Sequence, residues 1–258
     1  MNAWLARTRQ RAAMPPSSPR QPLLVGAAKV GSVEPAVAQR LRDAGLPLRE
    51  AAVGWQVVGE TDAALARIAG ALREAGLAGK WRDELLAVND GNGQVLGAIE
   101  RAVARRLGIT THAVHLVGHD PAGGCWVQQR ALDKATDPGL WDTLMGGLMA
   151  AGESVATTLE RETWEEAGLR LEQLAGLRPQ GQLTIRRPVA EGYMVERIHI
   201  ATATVPAGVV PRNLDGEVER FECIGRPLLE ARLLADEFTL EAALVLAQAL
   251  HLGEGGRG

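Results

Sequence analysis

Two periodicities alternate along the chain. Leu23-Leu24-Val25 and Val30-Gly31-Ser32-Val33 are short extended pieces, and Trp55-Gln56-Val57-Val58 alternates as a half-buried strand does. Between them, Pro35 to Ala44 carries Val37 and Leu41 four apart with Ala38 and Ala44 beside them, a helical stripe stopped by Gly45. Thr61-Asp62 opens a second helix that ends at Glu74-Ala75-Gly76. Trp81 to Val88 reads as a strand, Asn89-Asp90-Gly91-Asn92-Gly93 as a turn, and Ala98 to Leu107 as a helix with Arg and Glu on one face, ended by Gly108.

The pattern then turns strand-rich. His112 to His119 and Cys125 to Arg130 form a hairpin across Pro121-Ala122-Gly123-Gly124. A polar loop, Asp133 to Trp141, leads to a short strand at Thr143 to Met149 and a helix from Glu153 to Ala167, closed by Gly168. Strands follow at Gln180 to Arg187, Tyr193 to Val205 and Val218 to Ile224. A short helix at Leu228 to Leu234 and an amphipathic helix from Phe238 to Leu252 precede a glycine-rich tail. The helix stop at Gly108-Ile109-Thr110 divides the chain into a flexible tail (1–20), an α+β unit (21–108) and a larger α/β unit (109–253).

Composition narrows the classes of function. The 258 residues carry Lys+Arg 28 against Asp+Glu 31, a net charge of −3, which argues against a dedicated nucleic-acid binder. Hydrophobic residues make up 46% and charged residues 23%, enough to build a core and too few charges for disorder. Aromatics are only 3%, so the core must come from Leu, Val, Ile and Ala. No stretch approaches the ~20 apolar residues of a membrane span. Residues 1–33 lack Asp and Glu and carry Arg7, Arg9, Arg11 and Arg20; a frayed tail before Pro15-Pro16 is preferred over an organellar presequence. Cys125 and Cys223 have no CxxC partner and read as thiols in a reducing compartment, hence a cytoplasmic location. His112 and His115 point to opposite faces of a strand, which makes a shared metal site with His119 geometrically poor.

The candidate chemistry lies in residues 147–169. Glu162, Glu165 and Glu166, three and four apart, project from one side of a helix, and like charges so placed destabilise it by a few tenths of a kcal/mol. A divalent cation turns that repulsion into binding, and hard carboxylate oxygens suit Mg²⁺ or Mn²⁺. Such a metal activates water and stabilises charge on a phosphoryl group. Arg161 is placed to orient one carboxylate through a charge-assisted hydrogen bond. Spacing alone would favour a solvated Glu-rich helix face.

The wider pattern decides between them. Gly147, Glu153 six later, Arg161-Glu162, Glu165-Glu166 and Gly168-Leu169 match the Nudix box, with Thr163 where an apolar residue is usual. Seven fixed residues make a chance match on the order of one in ten million per start position. The segment resembles the Nudix hydrolases, and the resemblance implies an α/β/α sandwich with a mixed sheet and metal-dependent attack of water on a diphosphate. By position, Glu162, Glu165 and Glu166 would be metal ligands; Glu162 would alternatively be the general base. Glu153 and Arg161 would support the array, and the Gly147 carbonyl would reach a metal. A further carboxylate from Asp215-Gly216-Glu217-Val218-Glu219 is expected, Glu217 preferred.

Trp126-Val-Gln-Gln-Arg130, Lys134, Pro138-Gly139, Asp142 and Gly146-Gly147 further resemble the Nudix branch related to the domain fused to fungal thiamine pyrophosphokinase, as do residues 81–88 and 100–109. That implies a small-molecule substrate, thiamine diphosphate or an oxidised analogue, cleaved to monophosphate and phosphate. Arg130 and Lys134 would contact the diphosphate, and Trp141 is a candidate to stack on a flat ring. Alternatives are ADP-ribose, NADH or a nucleotide sugar as substrate, an isopentenyl-diphosphate isomerase, which would need a cysteine at the site, or a non-catalytic ligand sensor. The N-terminal unit is read as a lid, a homodimer contact or a support.

Overall fold

The computed structural model describes residues 1–134 and 136–253; the glycine-rich tail expected beyond Gly253 lies outside them. The chain opens with α1 (Asn2–Arg11), then the hairpin β1 (Gln21–Val25) and β2 (Ala28–Val33), α2 (Pro35–Asp43), β3 (Leu48–Ala51), β4 (Gly54–Val57) and α3 (Thr61–Glu74). A second hairpin, β5 (Leu85–Asn89) and β6 (Val95–Glu100), leads into the short α4 (Arg101–Ala104). The first four strands form a sheet in the order β2-β1-β4-β3. The amphipathic stripes of α2 and α3 cover it with Val37, Leu41, Leu65, Ile68 and Leu72, burying Trp55 and Leu23. Proline at the start of α2 and Glu60 capping α3, through bonds from Asp62 N and Ala63 N, set where both helices begin.

The larger unit follows: β7 (Thr110–His119), β8 (Cys125–Arg130), β9 (Trp141–Asp142), β10 (Met145–Leu148), α5 (Val155–Ala167), a 3₁₀ turn, β11 (Ala175–Val189), β12 (Gly192–Thr204), β13 (Val218–Ile224), α6 (Arg226–Leu234) and α7 (Leu240–Ala249). Its sheet has seven strands in the order β11-β12-β7-β8-β13, with β10 beside β7 and β9 beside β8. β12 runs parallel to β7 and the other pairings are antiparallel, so the sheet is mixed. Alternation along the strands divides the core. Ala113 and Val117 of β7, with Ile198 and Ile200 of β12, face α1, α6 and α7. Val114 and Leu116, with Ala201 and Ala203, face α5. The result is the expected α/β/α sandwich, with an α+β unit ahead of it. No helix among the described residues is long and apolar enough to cross a membrane.

Four local expectations change. Residues 1–20 are not a flexible tail. Trp4, Leu5 and Thr8 share one face of α1 and are buried in the α7 side of the core, and Arg186 N bonds Ala12 O at 2.8 Å; arginines on the other faces hide this stripe in the sequence. The strand expected at 81–88 begins only at Leu85, because Asp83 has φ 55°. The helix expected at 98–107 shrinks to α4, because β6 pairs with β5 through Glu100 and Asp62 Oδ1 accepts a bond from Ala98 N at 2.8 Å. The final helix is buried on nearly every side, so a helix expected to be amphipathic is the central helix of its layer.

Candidate active cleft

The sequence starts α5 sharply. Ser154 and Thr157 bond each other's backbone N–H in a reciprocal cap, and Gly168 ends the helix in the left-handed conformation at φ 62°. β10 lies alongside, so its glycines meet the acidic face of the helix.

Arg161 is the hub of that face. Its Nε and Nη2 donate to the two Glu153 carboxylate oxygens at 2.6 and 2.8 Å. Nη1 donates to Glu162 Oε1 at 2.8 Å and Glu165 Oε2 at 3.0 Å, and Nη2 reaches the Leu148 carbonyl at 3.2 Å. The Arg161 bonds hold the Glu153 carboxyl at about 2, against the opposing effect of its burial. One guanidinium thus ties the loop before α5, the end of β10 and the helix into a single unit.

Glu162 and Glu166 sit one turn apart and line the cleft. Burial pushes Glu162 up to about 6, with Arg161 opposing and the Glu165 and Glu217 charges adding. Burial and the Glu162 charge push Glu166 up to about 8, although it accepts bonds from Gln128 Nε2 at 3.0 Å and Gly146 N at 3.1 Å. Glu217 approaches from the loop before β13 and pairs with Lys134. Burial raises its carboxyl, but Lys134, Arg82 and Arg101 outweigh that and lower it.

The cleft has a volume of about 480 Å³. Ala113, Leu148, Val189 and Met194 give it apolar patches, and Glu196 and Glu241 add carboxylates away from α5. Glu196 is buried and raised, accepting from Thr111 Oγ1 at 3.1 Å. His115, also in the lining, is buried and lowered, and its Nδ1 lies 2.9 Å from Thr143 Oγ1.

Of the residues expected at the site, Gly147, Glu162, Glu166, Glu217, Arg130 and Lys134 line this cleft. Glu153 and Arg161 lie behind it as the supporting pair. Glu165 does not line it; it is 45% exposed and turned to Arg161. Trp141 does not line it either, which corrects the stacking expectation. Its ring is buried, with the Arg232 guanidinium 4.2 Å and that of Arg220 5.4 Å from its centroid. Arg130 bonds the Thr136 carbonyl at 3.0 Å and pairs with Asp142 at 3.5 Å. Sequence reasoning missed Arg82, Arg101, Arg105, Glu196 and Glu241. The Arg/Glu face near residue 101 and the resemblance of residues 81–88 and 100–109 pointed to the segments that hold the three arginines, without giving them a role.

No three His, Cys, Asp or Glu side chains among the described residues are gathered tightly enough to form a metal site as they stand. The donor chemistry still fits a hard divalent cation. Glu162, half-buried, and Glu166, buried, are carboxylates whose charges oppose each other, Glu217 adds to the same field, and all three line one cleft. Gln128, which holds Glu166, has its own Oε1 buried without a partner among the described residues.

Comparison with known proteins identifies the domain that carries the cleft. A NUDIX domain model matches residues 98–245. Nudix hydrolase 20, chloroplastic, of Arabidopsis thaliana is 32% identical over 173 residues, 62% of this chain and 44% of that protein. An isopentenyl-diphosphate Delta-isomerase of Corynebacterium glutamicum is 30% identical over 147 residues, 54% of this chain and 75% of that protein. The crystal structure of DR0079 from Deinococcus radiodurans superposes with a TM-score of 0.48 at 21% identity, over 63% of this chain and 97% of that one. The chain spans about half the length of the Nudix hydrolases it matches.

Proposed function

The chain belongs to the Nudix family, and on that premise we propose that its cleft hydrolyses a small-molecule diphosphate to the monophosphate and phosphate with Mg²⁺ or Mn²⁺. The observation that carries this is the pair of the half-buried Glu162 and the buried Glu166 facing a cleft that also holds Glu217 and several cations. Glu162, Glu166 and Glu217 would hold the metal, with the Gly147 carbonyl as a further donor, and Glu165 would join them only by leaving its bond to Arg161. The bound ion would activate water and stabilise charge on the phosphoryl group. Arg161 and Glu153 keep Glu162 oriented, and Gln128 and Gly146 N keep Glu166 oriented. Glu162 serves as ligand or as acceptor of the proton released by water. Arg130 and Lys134 supply positive charge at the cleft, each already engaged with protein oxygens.

For the substrate we infer thiamine diphosphate or an oxidised analogue. Glu196 and Glu241 line the cleft as further carboxyl groups, Glu241 paired with Arg187 at 3.5 Å, and they offer acceptors to an N–H-bearing ring. No Trp, Tyr or Phe is among the described lining residues, so ring stacking does not separate thiamine diphosphate from ADP-ribose, NADH or a nucleotide, and the substrate panel decides between them. An isomerase reading has a relative in its favour, but neither cysteine lines the cleft. Cys125 is buried with its thiol pushed up to about 12, and Cys223 is exposed on β13. The test is phosphate release with Mg²⁺ or Mn²⁺ across thiamine diphosphates, ADP-ribose, NADH, nucleotide sugars and isopentenyl diphosphate. Turnover of a thiamine diphosphate above the rest is expected; absence of turnover of every diphosphate by folded, metal-supplied protein overturns the hydrolase reading.

A further inference from the structure

Three arginines ahead of β7 line the cleft: Arg82 precedes the residues matched by the Nudix domain model, and Arg101 and Arg105 lie at its very start. Arg82 lies in the irregular segment before β5, Arg101 starts α4, and Arg105 caps its end. Arg101 and Arg105 are four apart, so the short helix presents both toward the same side. Backbone bonds fix this wall: Arg82 N donates to Glu100 Oε1 at 3.2 Å, Arg101 N to the Glu84 carbonyl at 2.8 Å, and Tyr193 N of β12 to the Arg105 carbonyl at 2.9 Å. The last of these ties α4 directly to the sheet that forms the cleft.

The three cations differ in how far they are committed. Arg101 Nη1 pairs with Glu84 at 2.7 Å, and Arg105 Nη1 lies 3.6 Å from Glu191. The Arg82 guanidinium has no hydrogen bond or ion pair among the described residues, yet it lines the cleft. The cations expected from the sequence are in the opposite condition: Arg130 is held by Thr136 and Asp142, and Lys134 by Glu217. Arg82 is therefore the least committed of these cations: its charge acts on Glu217 through space, but its guanidinium keeps its donors open, a planar group suited to two phosphate oxygens at once.

We propose that the N-terminal unit supplies a substrate-binding residue to the cleft: Arg82, backed by Arg101 at the start of α4, binds non-bridging oxygens of a phosphate group of the substrate. This rests on the hydrolase reading only for the identity of the ligand as a phosphoanhydride. It gives the N-terminal unit a role in recognition beyond that of a lid or support.

The experiment compares wild type, Arg82→Ala, Arg82→Lys and, as a control on the N-terminal sheet away from the cleft, Arg49→Ala. Calorimetric binding of inorganic pyrophosphate without metal is measured beside kcat and KM for the diphosphate turned over. Arg82→Ala is expected to weaken pyrophosphate binding and raise KM about tenfold, the loss of one charge-assisted contact. Its kcat should stay within about twofold and its melting temperature unchanged, since the guanidinium supports no fold contact. Arg82→Lys should recover part of the affinity and Arg49→Ala should match wild type. Unchanged pyrophosphate affinity and KM in Arg82→Ala overturn the proposal. If no diphosphate is hydrolysed but Arg82→Ala still loses pyrophosphate affinity, the hydrolase reading fails and the arginine site stands.

Discussion

Gly147 and Glu162 occupy almost the same space: a β-carbon built on Gly147 would lie 2.1 Å from the Glu162 carboxylate carbon and 2.3 Å from its Oε1. The glycine of the box is therefore set by the side chain it must admit. A methyl group there would push Glu162 away from both Arg161 and the cleft. Gly147→Ala is expected to fold and to lose about 100-fold in kcat, the cost of misplacing a reacting group by an ångström. Steady-state kinetics beside a melting curve check this; an active Ala variant would show that Glu162 does not need its present position.

Glu166→Gln should abolish metal-dependent turnover and the rise in melting temperature that a divalent cation gives the wild type. Its pH signature has a definite sign. The folded Glu166 carboxyl is raised to about 8, so in metal-free protein its contribution is fully present below the unfolded value near 4.5. That contribution is lost as pH rises through 8. Melting temperatures from pH 4.5 to 9 in chelator should fall more steeply for wild type than for Glu166→Gln. Parallel curves would contradict the assignment.

Thr163 stands where the family pattern has an apolar residue. It is fully buried, and its hydroxyl has no partner among the described residues. Thr163→Val keeps the shape and removes the unpaired hydroxyl, so it should stabilise the protein by about 1 kcal/mol with unchanged kinetics. Chemical denaturation measures it; a loss of stability would mean the hydroxyl is satisfied in solution.

Trp141 belongs to the core, packed with Arg232 and the α7 side of the sheet. Trp141→Ala should cost about 3–5 kcal/mol and leave KM unaltered in the fraction that folds. A raised KM with unchanged stability would return this residue to the substrate.

Much of the site was readable from local spacing. Glu162, Glu165 and Glu166 share a helix side by periodicity alone, and the Ser154 to Gly168 boundaries follow from capping chemistry. Yet spacing could not distinguish Glu165, turned outward to Arg161, from Glu166, buried against Gln128. That difference is made by β8 and β10, far away in sequence. The same limit explains Trp141, whose strand pattern suits a pocket wall or a core position equally well.

The sequence by itself determined the helix that carries the acids and the glycines around it, because these depend on interactions within a few residues; the sandwich was legible only through the resemblance to the Nudix box. Tertiary structure decided which acids face the cleft, raised their proton affinities by burial and mutual charge, and brought arginines near residues 82, 101 and 105 opposite a helix that begins at Val155. Burial and charge act through space, and neither can be read from positions separated by sixty residues of chain until the sheet has brought them together.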